Sequence, residues 1–239
     1  MKAIVLAAGV GKRFGKRTKK LPKCLIPLGE KGYTLLSRYL DAFRVCGIQD
    51  VIIVVGHESQ KIRTECQQKG KGLKIKFVVN PAFKKGSIYS LFKASKEMDD
   101  DCLVMDADVY FAPTALKKLI TSKNKTAFLL DKKSISSGEE MMLMRRGERP
   151  VHIAKKVDPT LKIIGEATGI FKVSKKDVKS LAQILAQHVS RGNVRAEYEE
   201  AYCDLMKKTK VGYETIQGFW TEMDFEEDLT KILHHESKK

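Results

Sequence analysis

The sequence predicts an α/β fold: a Rossmann-like, mostly parallel sheet flanked by helices, with a small antiparallel subregion on the substrate side. Three observations carry this. Short apolar, β-branched runs recur at residues 2–6, 51–55, 75–79 and 102–105, with helical spacing between them. Alternation of that kind implies parallel strands joined by crossover helices that cover both faces of the sheet. Between residues 131 and 173 the pattern changes to short segments separated by Gly, Ser and Pro, as antiparallel strands require.

In chain order, the run at 2–6 is the first strand, and 35–45 has the spacing of an amphipathic helix. Gly56-His57 closes the strand at 51–55, and Asn80-Pro81 closes the one at 75–79. A helix is predicted over 87–98 through Ile88, Leu91, Phe92 and Ser95, running toward Asp99-Asp100-Asp101. Another follows over 112–123, with Pro113 in its first turn, and then a strand over 126–130. Short strands at 141–144, 151–155 and 165–173 are expected to wall the substrate pocket. Helical spacing returns at 178–190 and 198–207, and a strand at 213–216 precedes a closing helix at 225–234. Without an internal repeat or a low-complexity linker, one domain over 1–239 is expected.

With 43% hydrophobic and 31% charged residues, 239 residues suffice for a sizeable core. No run approaches the roughly 20 apolar residues of a membrane-spanning helix, so a cytoplasmic chain is expected. Five scattered cysteines, without a C-x-x-C pair or zinc-like spacing, read as free thiols of a reducing compartment. The net charge of +16 implies anionic partners, but the lysines are spread along the whole chain. No helix-turn-helix, zinc-finger or RNA-recognition signature accompanies them, so nucleic acid is not expected as the main ligand. A homodimer is left open.

Four patches carry chemistry. Leu6-Ala7-Ala8-Gly9-Val10-Gly11-Lys12-Arg13 follows the first strand directly. Its small residues let backbone N–H groups approach phosphate oxygens closely, while Lys12 or Arg13 adds positive charge. Two glycines can also serve merely to turn the chain. Neither a GxxxxGK[ST] run nor the third glycine of a dinucleotide fingerprint, replaced by Phe14, is present. In Leu21-Pro22-Lys23-Cys24-Leu25-Ile26-Pro27, two prolines can hold a lysine ammonium at a fixed point for a phosphate; alternatively it is a solvated loop lysine.

The strand at 102–105 runs into Asp106-Ala107-Asp108, where a parallel sheet opens its ligand crevice. Both carboxylates share one face if strand geometry persists, and two close carboxylates suit a Mg²⁺ that also bridges substrate phosphates. The alternative is a pair of solvated turn aspartates. Finally, Glu222-Met223-Asp224 ends an apolar patch, and Asp224 by itself reads equally as a helix N-cap.

Together these patches resemble the nucleotidyltransferase family that joins a nucleoside triphosphate to a phosphorylated sugar or alcohol. The LAAGxGxR opening, the PKxL element at 22–25, the strand-ending Asp108, and the late E-x-D followed by Glu227-Asp228-Leu229 span nearly the whole chain. The resemblance implies a nucleotide bound along Leu6, Ala7, Ala8, Gly9, Gly11 and Lys12. Arg13, Lys23 and Asp108 would be catalytic, Asp108 and Asp224 would hold Mg²⁺, and Asp106 would support them. The implied chemistry is attack by a phosphate-monoester oxygen on the α-phosphorus. That oxygen is ionised near neutral pH, its second pKa being about 6, so no general base is needed. Charge neutralisation and positioning remain to be supplied.

Where hexose-1-phosphate enzymes usually carry a Gln-Pro/Gly-Thr-Ala type of segment, this chain has Asn80-Pro81-Ala82-Phe83-Lys84-Lys85-Gly86-Ser87-Ile88-Tyr89-Ser90-Leu91. That is more similar to cytidylyltransferases acting on phosphocholine, inositol phosphate or aminoethylphosphonate. The resemblance then puts Asn80, Gly86 and Ser87 at the nucleotide, with CTP and a phosphorylated small alcohol as partners. The segments at 165–172 and 197–201 point the same way, implying an acceptor pocket of Glu166, Tyr198 and Glu199, with Lys156 on the acceptor's phosphate. Tyr198 reads equally as packing at a helix start. The alternatives are a hexose-1-phosphate enzyme using UTP, dTTP or GTP, and a catalytically silent nucleotide- or polyanion-binding protein.

Overall fold

A computed structural model describes every residue except Lys16, Glu30, Lys31 and Lys239. Strand β1 (Lys2–Ala7) lies inside the main sheet, parallel to β2 (Asp50–Val55) on one side and to β4 (Cys102–Asp106) on the other. Beyond β2 comes β3 (Lys74–Val79), also parallel. Beyond β4 come β9 (Lys162–Val173), β6 (Ala127–Asp131) and β10 (Gly212–Thr215). β9 is antiparallel to both neighbours, and the other strands of this path share one direction. The mostly parallel sheet predicted from the sequence is therefore present. The antiparallel subregion is the hairpin of β7 (Met142–Arg146) and β8 (Arg149–Ala154), with β7 paired to the first half of β9.

Side chains alternate across a strand, and β1 shows the consequence. Ala3, Val5 and Ala7 enter one core with Leu36 of α1 (Leu35–Val45), Ile62 of α2 (Ser59–Lys69), Leu116 of α4 (Pro113–Thr121) and Ile232 of α7 (Glu226–Glu236). Ile4 enters the opposite core with Leu91 of α3 (Ser87–Ala94), Leu181 of α5 (Lys175–Ser190) and Tyr202 of α6 (Glu199–Lys208). Each of the buried Val, Leu and Ile side chains contributes about 1.5–3 kcal/mol. Local chemistry starts the helices where the sequence says. Thr34 and Ser37 form a reciprocal capping box at α1, and Pro113 occupies the first turn of α4.

The structure departs from the sequence reading in three places. Helix α2 has no counterpart in it, because only Ile62 and Cys66 of this segment are buried and the apolar period is faint. The strand carrying Asp106 stops there, and Ala107-Asp108 form a turn, so the pair does not share a face through strand geometry. Beyond that turn β5 (Val109–Tyr110) pairs antiparallel with β11 (Thr221–Glu222), two segments too short to show a period. The cysteines are all free, and among the described residues no helix is long and apolar enough to cross a membrane.

Candidate active site

A cleft of about 920 Å³ opens at the C-terminal ends of β1 and β4. One wall is the opening loop: Leu6, Ala7, Ala8, Gly9, Gly11, Lys12 and Arg13 all line it. Gly11 has φ +64°, and a Cβ there would meet the Lys23 side chain at 3.2 Å, so both backbone and space call for glycine. Thr18 ties the loop shut by donating its hydroxyl to the Gly11 carbonyl at 2.8 Å.

The stem of Lys23 passes beneath this loop. Pro22 starts a tight turn in which the amide of Leu25 donates to the Pro22 carbonyl, and the ammonium emerges between two carboxylates. Lys23 Nζ donates to Asp108 Oδ2 and to Asp224 Oδ1, each at 2.7 Å. Burial alone would depress this ammonium, but Asp108 and Asp224 outweigh it and hold the pKa above the usual lysine value. Arg13 reaches the other oxygen of Asp224 at 2.7 Å. The lysine is thus not a solvated loop residue.

Nor is Asp224 the helix cap. Phe225 occupies that position, and the backbone amides of Asp224 and Phe225 both donate to Asp228 Oδ2. This leaves the Asp224 carboxylate for the cleft. The β5–β11 ladder sets its place: Glu222 is registered with Val109, and the amide of Met223 donates to the carbonyl of Asp108. Two carboxylates distant in sequence therefore converge on one cation. They are hard oxygen donors of the kind Mg²⁺ takes, and the ammonium between them shows that the spacing admits positive charge. Among the described residues no three His, Cys, Asp or Glu side chains could share a metal. A Mg²⁺ here would complete its shell with phosphate oxygens and water.

On the far side, Gly86 and Ser87 line the cleft at the start of α3. A Cβ on Gly86 would meet the carbonyl oxygen of Ala196 at 2.1 Å, so the 193–198 segment packs directly against it. Ser87 Oγ donates to Glu197 and accepts from the amide of Tyr198 at 2.9 Å. Asn80 does not line the cleft: fully buried, it donates to Ser90 Oγ and accepts from the amide of Ala82. The nucleotide contact expected of Asn80 is corrected to a turn lock, the ordinary use of an asparagine beside proline.

The remaining wall is acidic. Tyr198 donates its hydroxyl to Asp106 Oδ2 at 2.5 Å, so this side chain does more than pack. Glu166 comes from β9, Glu199 from the first turn of α6 and Glu222 from β11, and all line the cleft. Burial, then mutual repulsion, raises Asp106 and Glu222 well above the usual carboxylate range. Burial raises Glu199 to about 8 and lifts Glu166 as well. Lys156 is exposed outside the cleft, and the adjacent Lys155 lines it instead, because the chain leaves strand β8 at Ala154 and bends. Glu222 and Trp220 stand in motifs visible in the sequence, but nothing local indicates that they line the acidic wall of the cleft.

The MobA-like NTP transferase domain family matches residues 3–187. CMP-5'-(3-aminopropyl)phosphonate synthase of Streptomyces rubellomurinus is 33% identical over 53% of this chain and 20% of its own length. CTP:phosphoglutamine cytidylyltransferase of Campylobacter jejuni is 24% identical over 96% of this chain and 98% of its own. The chain thus spans a fifth to a half of several curated relatives and nearly all of this one. An apo UDP-glucose pyrophosphorylase superposes with TM-score 0.81 at 15% identity, covering 99% and 98% of the two chains, which shows the common fold alone. The match over most of the chain, together with the loop, lysine and paired carboxylates at one cleft, makes this protein a member of the MobA-like NTP transferase domain family.

Proposed function

We propose that this enzyme transfers CMP from CTP to a phosphorylated or phosphonylated small alcohol, with Mg²⁺ held by Asp108 and Asp224. The observation that carries the catalytic reading is Lys23 Nζ at 2.7 Å from both carboxylates, with Arg13 on the second oxygen of Asp224. Cytidylyl transfer is supported by relatives that bear that activity and by the Asn80-to-Leu91 segment.

Gly9, Gly11 and Lys12 would receive the triphosphate along the opening loop, with Gly86 and Ser87 on the nucleoside side. The acceptor's ionised oxygen forms a bond to the α-phosphorus as the bond to the bridging oxygen breaks, and pyrophosphate leaves in line. No proton has to be removed from the nucleophile. Lys23 and Arg13 hold the charge that moves onto the leaving group, and Lys23, its side chain largely buried, acts in a weaker dielectric than water supplies. Mg²⁺ would supply further neutralisation of the triphosphate.

Pyrophosphate release with each nucleoside triphosphate, against a panel of phospho-alcohols and sugar phosphates, tests this. Turnover with CTP and a non-sugar acceptor is expected; turnover only with UTP, dTTP or GTP and a hexose-1-phosphate would replace it with the sugar reading.

A further inference from the structure

Resting on that reading, we infer that the acceptor carries a cationic nitrogen, and that Glu166, Glu199 and Trp220 form the subsite receiving it. In a chain of net charge +16, this wall of the cleft is conspicuously short of positive partners. Among the described residues none of Glu166, Glu199 and Glu222 forms an ion pair: of the cations that line the cleft, Arg13, Lys23, Lys155 and Lys231 are committed to other carboxylates, and Lys12, Lys84, Lys85 and Lys133 pair with none of these three. Glu199 is 9% exposed, lines the cleft, and its Oε2 has no hydrogen-bond partner. A buried carboxylate oxygen left in that state costs about 1–3 kcal/mol or more, so a ligand that satisfies it is recovered as affinity.

Burial and crowding favour the protonated form of these acids, and once ionised they only accept hydrogen bonds, so the ligand that stabilises the ionised wall is a donor. A polyol hydroxyl donates too, but it brings no charge to offset the repulsion among Glu166, Glu199 and Glu222 when they ionise; an ammonium does both. Glu166 faces Asp131 across the β6–β9 pairing, and Trp220 donates its indole N–H to Asp131 Oδ2 at 2.8 Å. The indole is anchored there, with a π-face that attracts cations, primary or quaternary. A divalent metal fits this wall poorly, because no three of its acidic groups are placed to share one ion among the described residues. The acceptor is thus a zwitterion: its phosphate or phosphonate turns toward Arg13 and Lys23, its nitrogen toward Glu199.

The test uses the full chain with Mg²⁺ and CTP and sets phosphoethanolamine, phosphocholine and 2-aminoethylphosphonate against 2-hydroxyethyl phosphate, which matches phosphoethanolamine in size, and against inositol-1-phosphate. At least one cationic acceptor is expected to exceed 2-hydroxyethyl phosphate in kcat/KM by about 100-fold or more, and the pattern among the three separates primary from quaternary nitrogen. Glu199→Gln and, independently, Glu166→Gln are expected to shrink that ratio at least about tenfold, chiefly through KM for the cationic acceptor. Equal or better turnover of the hydroxylated acceptors with CTP overturns the inference while leaving the cytidylyl reading intact. Transfer only from another nucleotide to a hexose-1-phosphate overturns the reading itself. If no pair is turned over, calorimetric titration of each acceptor into the protein decides, and equal affinity for charged and uncharged acceptors overturns the inference.

Discussion

The two ends of the cleft treat the same kind of side chain in opposite ways. At the phosphate end, Asp108 and Asp224 are paired with Lys23 and Arg13 before any substrate arrives. At the acidic end, Glu199 is buried and Glu166 and Glu222 are half-buried without a counter-charge, and burial raises each of them. The difference teaches what each end awaits. A prepaired cluster is preorganised for charge that develops during transfer, so its contribution falls on turnover. An unpaired, desolvated cluster is strained until a ligand joins it, so its contribution falls on selection of that ligand.

The largest effect should come from dismantling the paired end. Lys23→Ala leaves Asp108 and Asp224 facing each other without their shared ammonium, and a fall in kcat of roughly 10²-fold is expected, the scale found for removing one electrostatic donor. Steady-state kinetics would contradict the assignment if the variant turned over within about threefold of the wild type.

A smaller, opposite effect tests the unpaired end. The Glu199 pKa of about 8 in the folded chain lies above its unfolded value of about 4.3, so the native state keeps a proton the unfolded state has lost. Stability therefore falls as pH rises from about 4.3 to about 8 and is unaffected by this group outside that window. Glu199→Gln should flatten the slope, its Tm advantage over wild type being about 10 °C greater at pH 8 than at pH 5. Parallel melting curves for the two proteins across that range would remove Glu199 from the strained end.

The smallest effect marks a residue belonging to neither end. Asn80→Ala should lower stability by about 1–2 kcal/mol through two lost hydrogen bonds, leaving KM for CTP within about twofold. A much larger rise in KM at unchanged stability would return Asn80 to the nucleotide.

Much of this was legible in the chain itself. Hydrophobic period located most of the strands and helices, because a strand buried on both faces and a helix buried on one leave different repeats. That the opening glycines, Pro22-Lys23 and Asp108 belong to one cleft was readable because a tight loop after a strand, a lysine between prolines and a carboxylate just past a strand end are local patterns. Asn80 misled because a buried turn lock and a ligand contact use the same side chain, and Lys156 because one residue beyond a strand end reverses which side chain faces inward.

What the sequence by itself determined was the alternating fold and most of the residues that line the cleft, since both follow from local composition and period. What only the tertiary structure decided was their relation. The two-residue ladder between Val109–Tyr110 and Thr221–Glu222 brings Asp224 to Asp108. Packing of residues 193–198 against Gly86 carries Tyr198 and Glu199 to the same cleft. Neither pairing leaves a trace in the local pattern. A contact between segments some 110 residues apart is set by how the sheet's two cores close around it, and the charge balance of each end, paired or unpaired, exists only once those segments have met.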